Sequence, residues 1–346
     1  MPDRYEQVRG DLSASPRVWL ITGVAGFIGS NLMADLLSLG QTVVGLDNFA
    51  TGHRKNLDDV LSRHPEGSGR FRFIEGDVRD PDTCRAACSG VDFVLHQAAL
   101  GSVPRSIADP STSARVNIDG LLNVLVGARD AKVKRFVFAS SSSVYGDARE
   151  LPQREDRVGQ PLSPYAVTKV ANELFATVFQ RTYELEIIGL RYFNVFGPRQ
   201  DPQGPYAAVI PRWVAALLAG DACRIYGDGE TSRDFSYVAN AVQANLLAAT
   251  APAEATGQMY NIACGESTSL NTLFRLIRDG LARFGNRVQD AEPIYDAFRP
   301  GDIPRSLADI TKAQRYLGYE PAYDVSDGLA NTLDWYMQSR NAAGRS

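Results

Sequence analysis

Through the first half of the chain, short apolar runs alternate with longer stretches in which apolar positions recur every three or four residues. The runs VWLITG (18–23), TVVGLD (42–47), FRFIEGD (71–77), DFVLHQAA (92–99), RFVFASS (135–141) and EIIGLRYFN (186–194) have the length and composition of buried strands. Between them, GFIGSNLMADLLSLG (closing near Gly40), DGLLNVLVGARDA and the segment that opens with SPYAVTK carry helical periodicity. Strands that alternate with helices predict a parallel sheet covered on both faces, a doubly wound α/β fold. Past Asn194 the pattern changes. VFGPRQDPQGPYAAVIPRW is rich in Pro and Gly, with a helix expected at 211–219. RDFSYVANAVQANLLAAT and QMYNIAC again read as strand, helix and strand, returning to the sheet. The expected division is therefore a first domain of residues 1–194, joined by 233–264, and a smaller domain in 195–346 over the strand ends. Ligands of open α/β sheets sit at those ends. Tyr5, Val8 and Leu12 place a short amphipathic helix before the first strand.

Composition narrows the function classes. A length of 346 residues suits about two domains, and 44% apolar residues suffice for full cores. A net charge of −4 gives no support for a nucleic-acid partner. No apolar run reaches the ~18 residues that a membrane helix needs. The opening MPDRYEQVRG is polar and of mixed charge, unlike a signal peptide, so a cytoplasmic protein is expected. Cys84, Cys88, Cys223 and Cys264 lack metal-site spacing, and His53, His64 and His96 form no H-E-x-x-H pattern. Buried thiols and no catalytic metal are the expectation. A P-loop and a G-x-S-x-G elbow are both missing.

The chemistry starts in TGVAGFIG, where Gly23, Gly26 and Gly29 follow the first strand at three-residue intervals. Glycines there let backbone approach a pyrophosphate, and the following helix offers free N–H groups. The spacing is G-x-x-G-x-x-G, so the simple G-x-G-x-x-G fingerprint is not met. Asp47 ends the second strand, where an acid binds ribose hydroxyls and repels a 2′-phosphate, favouring NAD over NADP. Asp77, in GDV after the third strand, is placed to bond an adenine edge. Together these residues predict a Rossmann-type dinucleotide site. In SPYAVTK, Tyr165 and Lys169 share one helix face, in a chain with only five lysines. An adjacent ammonium favours a phenolate, which would provide a base. The strand RFVFASS runs into Ser140, Ser141, Ser142 and Ser143, any of which reaches the cleft as a relay or satisfies loop backbone.

TGVAGFIG, the strand-end serines, SPYAVTK, LRYFNVFGP, GDGETSRDF and RPGDIPRSLAD, in that order over nearly the whole chain, resemble the extended short-chain dehydrogenase/reductases. The closest type is the UDP-hexose 4-epimerase, in particular its UDP-N-acetylglucosamine 4-epimerase branch. The resemblance implies NAD as cofactor, a UDP-sugar as substrate and a homodimer. It implies Ser141 as catalytic serine, Tyr165 as base and Lys169 as the residue that holds the nicotinamide ribose while lowering the tyrosine pKa. For the cofactor it further implies Phe27, Ile28, Asn48, Gly52, Val78, Gln97, Ala98, Ala99, Asn117 and Tyr192. On the substrate side it implies Gly101, Ser102, Ser142, Ser143, Asn194, Gln200, Val209 and Tyr226, with Arg233 and Arg299 on the diphosphate and Asp302 near the uridine. Ser306, seven residues after Arg299, takes a place where plain-hexose epimerases of the family carry tyrosine, so room for an acetamido group is implied.

Sugar-nucleotide 4,6-dehydratases of the same fold carry an Asp–Glu pair where this chain reads SSSSVYGD. UDP-glucuronate decarboxylases are less similar because their glutamate is missing here. A non-catalytic NAD-binding sensor would have lost Ser141, Tyr165 or Lys169, and all three are present. For the homodimer, Leu121, Leu125, Val170, Leu174 and Val178 supply the expected surplus apolar face on two helices.

Overall fold

The computed structural model describes residues 4–202, 207–285, 288–298 and 304–343. Arg299 and Asp302 lie outside the described residues. The central layer is built from β1 (Val18–Thr22), β2 (Thr42–Asp47), β3 (Phe71–Glu75), β4 (Phe93–His96), β5 (Arg135–Ser141) and β6 (Ile187–Tyr192). Shorter strands follow: β7 (Val195–Phe196), β8 (Arg224–Tyr226), β9 (Ser232–Arg233), β10 (Ser236–Tyr237), β11 (Gln258–Ile262), β12 (Thr268–Ser269) and β13 (Ile294–Asp296). The seven-stranded sheet runs β3-β2-β1-β4-β5-β6-β11, and every pairing in it is parallel. Trp19, Leu20 and Ile21 of β1 are wholly buried, as a parallel strand covered on both faces requires. The strand order reverses between β1 and β4, which opens a crevice at their carboxyl ends.

The helices are α1 (Arg4–Ala14), α2 (Phe27–Ser38), α3 (Arg54–Arg63), α4 (Pro81–Cys88), α5 (Val103–Ala108), α6 (Pro110–Ala114), α7 (Gly120–Asp130), α8 (Pro164–Tyr183), α9 (Val209–Ala219), α10 (Val238–Ala249), α11 (Leu270–Ala282), α12 (Thr311–Leu317) and α13 (Val325–Ala343). One core, with Trp19, Leu32, Leu36 and the nearly all-buried α10, also holds Val8 and Leu12 of α1. Gln41 locks α1 to the sheet, accepting from Trp19 Nε1 and donating to the Leu12 carbonyl. A second core lies among α4, α7, α8 and the other sheet face, and takes in Cys84 and Cys88. A third joins α9, α11 and α13 around Trp213, Phe274 and Leu333. All four cysteines are free thiols. Among the described residues, no helix is long and apolar enough to cross a membrane.

The expected apolar face on α7 is corrected by this packing. Leu121 and Leu125 are completely buried in the chain's own second core, and Val170 packs on the Tyr145–Phe193 cluster. What α8 exposes is Tyr183 at its end and Val167, Leu174 and Val178 on one stripe, and α5, which packs on α8, exposes Val103 and Ile107.

Candidate active site

The turn from β1 into α2 is shaped by glycine. Gly23 has a φ of +71°, and a Cβ there would lie 2.9 Å from the Ala98 nitrogen beyond β4. A Cβ on Gly29 would strike the carbonyl of Gly23, so the first turn of α2 is seated directly on the loop. Gly26 caps α2 without a side chain, leaving its first N–H groups facing the crevice. Asp47 projects from the end of β2. It accepts from the Ala25 and Phe49 N–H groups at 2.9 and 2.8 Å, and burial raises its pKa. With a further backbone bond from Asn48, at least one of its roughly four acceptor positions remains for a ligand. Asp77 is paired with Arg79 and accepts from Asn48, and the Arg79 hydrogen bond first of all holds it down at about 2.

These groups line one cleft of about 510 Å³ that runs from Asp47 and Asp77 to Ser141, Tyr165 and Lys169. Of the expected cofactor residues, Gly23, Gly26, Phe27, Ile28, Gly29, Asn48, Val78, Gln97, Ala98, Ala99 and Tyr192 also line it. Gly52 stands behind, packed on Ala25. Asn117 is buried at a π-turn (Arg115–Asp119), where its amide bonds Leu100 N–H and Thr168 Oγ1 and so ties the cleft's edge to α8. Tyr192 hydroxyl is fixed by Asn245 and Gln97. A glycine cradle at the start of α2, a carboxylate at the end of β2 and a cleft that joins them to Tyr165 fit NAD.

Ser163 caps α8, its Oγ accepting from Ala166 N–H at 3.1 Å, and Pro164 occupies the first turn. That start places Tyr165 at the cleft with Lys169 one turn on. Lys169 is 3% exposed and donates to the Ala139 carbonyl at 2.7 Å. Burial lowers its pKa to about 8, with Glu173 pulling the other way. The expected depression of Tyr165 by Lys169 is not found in this geometry. Burial raises the Tyr165 pKa, and the opposing influence is a hydrogen bond from Ser141. The ammonium lies 5.8 Å from the tyrosine ring centre. Desolvation dominates the shift.

The serines now separate. Ser140 donates to Glu173 Oε1 at 2.6 Å, so its proton is committed away from the cleft. Ser141 faces Tyr165 and accepts from Ser143 N–H at 3.2 Å. Ser142 and Ser143 sit in the following 3-10 turn, with Ser143 Oγ buried and without a hydrogen-bond partner among the described residues. Asn194 and Gly101 line the cleft, while Ser102 caps α5. Val209 starts α9, Tyr226 ends β8, Arg233 lies in β9, and Gln200 donates to the Val195 carbonyl. Those four and Ser306 lie outside the cleft lining. Ser306 is 8% exposed and its N–H bonds the Ser232 carbonyl.

Sequence reasoning missed Glu173 and Asp234. Glu173 falls four residues after Lys169, on the helix face already singled out. Asp234 follows Arg233 and is fully buried, accepting from Cys264, Gly265 and Ala308 N–H groups while burial pushes it up to about 7. It joins three chain segments, next to Arg233 and two residues from Ser306 at Ala308.

A family model described as the NAD dependent epimerase/dehydratase family matches residues 19–263. The UDP-glucose 4-epimerase of Mycolicibacterium smegmatis is 38% identical over 319 residues, covering 92% of this chain and 97% of that protein. Among solved structures, a UDP-N-acetylglucosamine 4-epimerase from Methanobrevibacter ruminantium, in complex with UDP-N-acetylmuramic acid, is 37% identical with a TM-score of 0.85, covering 94% of this chain and 99% of that one. A dTDP-glucose 4,6-dehydratase from Streptomyces venezuelae with NAD bound is 33% identical with a TM-score of 0.82, covering 94% and 98%.

Proposed function

The chain belongs to the NAD-dependent epimerase/dehydratase family, and from that premise we propose that it inverts C4 of UDP-sugars, foremost UDP-N-acetylglucosamine and UDP-N-acetylgalactosamine, with UDP-glucose and UDP-galactose as further substrates. The observation that carries this reading is where the acids lie. The carboxylates that line the cleft are Asp47 and Asp77, assigned to the ribose and the adenine of the cofactor. Beside Tyr165 stand Ser141 and Lys169, and no further carboxylate lines the cleft among the described residues, which supports hydroxyl chemistry and gives a dehydratase no acid–base pair. Glu173 does not fill that role, because Arg191 and Ser140 occupy its oxygens.

NAD bound in the cleft supplies a hydride acceptor that later returns the hydride. Tyr165, as phenolate, takes the proton of the sugar 4-hydroxyl as C4 loses its hydride, leaving a 4-keto sugar. Ser141, already bonded to the Tyr165 oxygen, orients that proton transfer. Lys169 has donors beyond the one given to Ala139, and these serve the nicotinamide ribose. Arg233 and Arg299 are assigned to the diphosphate, whose grip retains the ketone while it presents its other face and regains the hydride and proton.

Incubation with UDP-N-acetylglucosamine and with UDP-glucose, separately and with product analysis, tests the reading. A mixture of C4 epimers is the expected result. A 4-keto-6-deoxy product would reassign the chain to the dehydratases, and no turnover of either would point to a sensor.

A homodimer is part of the proposal. Val167, Leu174 and Val178 leave an apolar stripe in water on α8, and the neighbouring α5 exposes Val103 and Ile107. A second copy packing the same stripe would bury it as helices pack in bundles. Light scattering at micromolar concentration is expected to give twice the chain mass. A monomer mass would reject the dimer.

A further inference from the structure

Glu173 receives three hydrogen bonds on one carboxylate. Ser140 Oγ donates to Oε1 at 2.6 Å, Arg191 Nε to Oε1 at 2.9 Å, and Arg191 Nη2 to Oε2 at 2.8 Å. Ser140 and Arg191 are direct register partners on β5 and β6. A single side chain of α8 is thus fastened to two neighbouring strands at once. Arg191 is itself braced, because its Nη1 donates to Tyr145 hydroxyl at 3.1 Å and to the Glu155 carbonyl at 3.2 Å. Tyr145 in turn donates to Asn261 on β11 at 2.6 Å. One turn earlier on α8, Lys169 reaches the Ala139 carbonyl, next to Ser140 in β5.

We infer that Glu173 is a positioning residue that pins the register of α8 on the sheet through Ser140 and Arg191, and so holds Tyr165 against Ser141. The inference rests on the assignment of Tyr165 and Ser141 as the reacting pair. Its physical basis is the difference between packing and directed bonds. Apolar contacts between a helix and a sheet change little over a small slide, whereas a bidentate guanidinium and a short hydroxyl bond on the same carboxylate do not tolerate one. A slip of one helical residue is ~1.5 Å and a turn of about 100°, which carries the phenol away from the serine. The side chains of Arg191 and Glu173 are 5% and 13% exposed. Buried ion pairs of this kind often add little net stability, so geometry is the better reason for this one.

The experiment compares wild type, Ser140→Ala and Glu173→Gln by hydrogen exchange and steady-state kinetics. Glu173→Gln leaves the Arg191 charge buried and without its partner, which risks the fold. Ser140→Ala keeps the ion pair and removes one strut, so it decides the matter if Glu173→Gln does not fold. In Ser140→Ala, exchange of the amides in the first two turns of α8 is expected to rise about tenfold while α2 is unchanged. Its kcat is expected to fall on the order of tenfold with KM within twofold, since about 1 Å of misplacement costs up to a hundredfold. Unchanged exchange in α8 would overturn the pin. A kcat within twofold of wild type, or a loss confined to KM, would overturn the positioning of Tyr165. If the wild type turned over no UDP-sugar, the functional reading would fall and the exchange measurement would still decide the pin.

Discussion

Tyr165→Phe is expected to lose ~10²–10⁴ of kcat, the usual contribution of a general base, while retaining NAD and UDP-sugar. The phenylalanine fills the same volume and lacks only the oxygen that takes the proton. Ser141 then loses its phenol partner. Burial raises the Tyr165 pKa, so the active phenolate needs help from positive charge nearby. Lys169, lowered to about 8, carries its charge below that pH and loses it above. Lys169→Ala is therefore expected to cost activity and to move its onset to higher pH. Steady-state kinetics across pH, with cofactor content measured on the same samples, check both variants. If Tyr165→Phe kept more than about a tenth of wild-type kcat, a second base would have to exist.

Ser306→Tyr is expected to abolish turnover of the acetylated sugars while sparing UDP-glucose and UDP-galactose. Ser306 is nearly buried and anchored by its N–H to Ser232, and two residues on, Ala308 N–H is held by Asp234. The segment therefore has little freedom to retreat from a larger side chain. Overfilling a tight site costs roughly 1–3 kcal/mol, about ten- to a hundredfold or more in rate, and under the proposal that Ser306 flanks the sugar's C2 side an acetamido group meets that cost where a hydroxyl does not. Rates for both sugar pairs, with a melting temperature as control for folding, form the measurement. Equal loss of both activities would make Ser306 a structural residue and leave the acetylated substrates without a steric argument.

Residues governed by a short-range rule are legible in the chain itself. Strand and helix periods predict the sheet, and the return of Gln258–Ile262 to its edge is visible as a late apolar run. Gly23, Gly29 and Asp47 sit at fixed offsets from strand ends, and Tyr165 and Lys169 are one turn apart after a Ser-Pro start. Leu121 and Leu125 show the limit of the same reading. Their helix carries more than one apolar stripe, and only the packing of α4 on α7 says that these two face inward.

Local spacing by itself determined where the glycine turn, the strand-end Asp47 and the tyrosine–lysine pair lie, because each depends on backbone geometry within a few residues. Tertiary structure decided what those groups feel. The i,i+4 rule places an ammonium beside a phenol, but the direction of the Tyr165 shift comes from desolvation by segments far off in sequence. Alternation along β5 puts Ser140 and Ser141 on opposite faces, yet it cannot tell which face meets the cleft. That was settled by Glu173, 33 positions beyond Ser140 and itself held by Arg191, which takes the Ser140 hydroxyl, while Ser141 bonds Tyr165. Hydrogen bonds between strand and helix form only where the fold brings their donors and acceptors within about 3 Å, and no spacing within one segment encodes that distance.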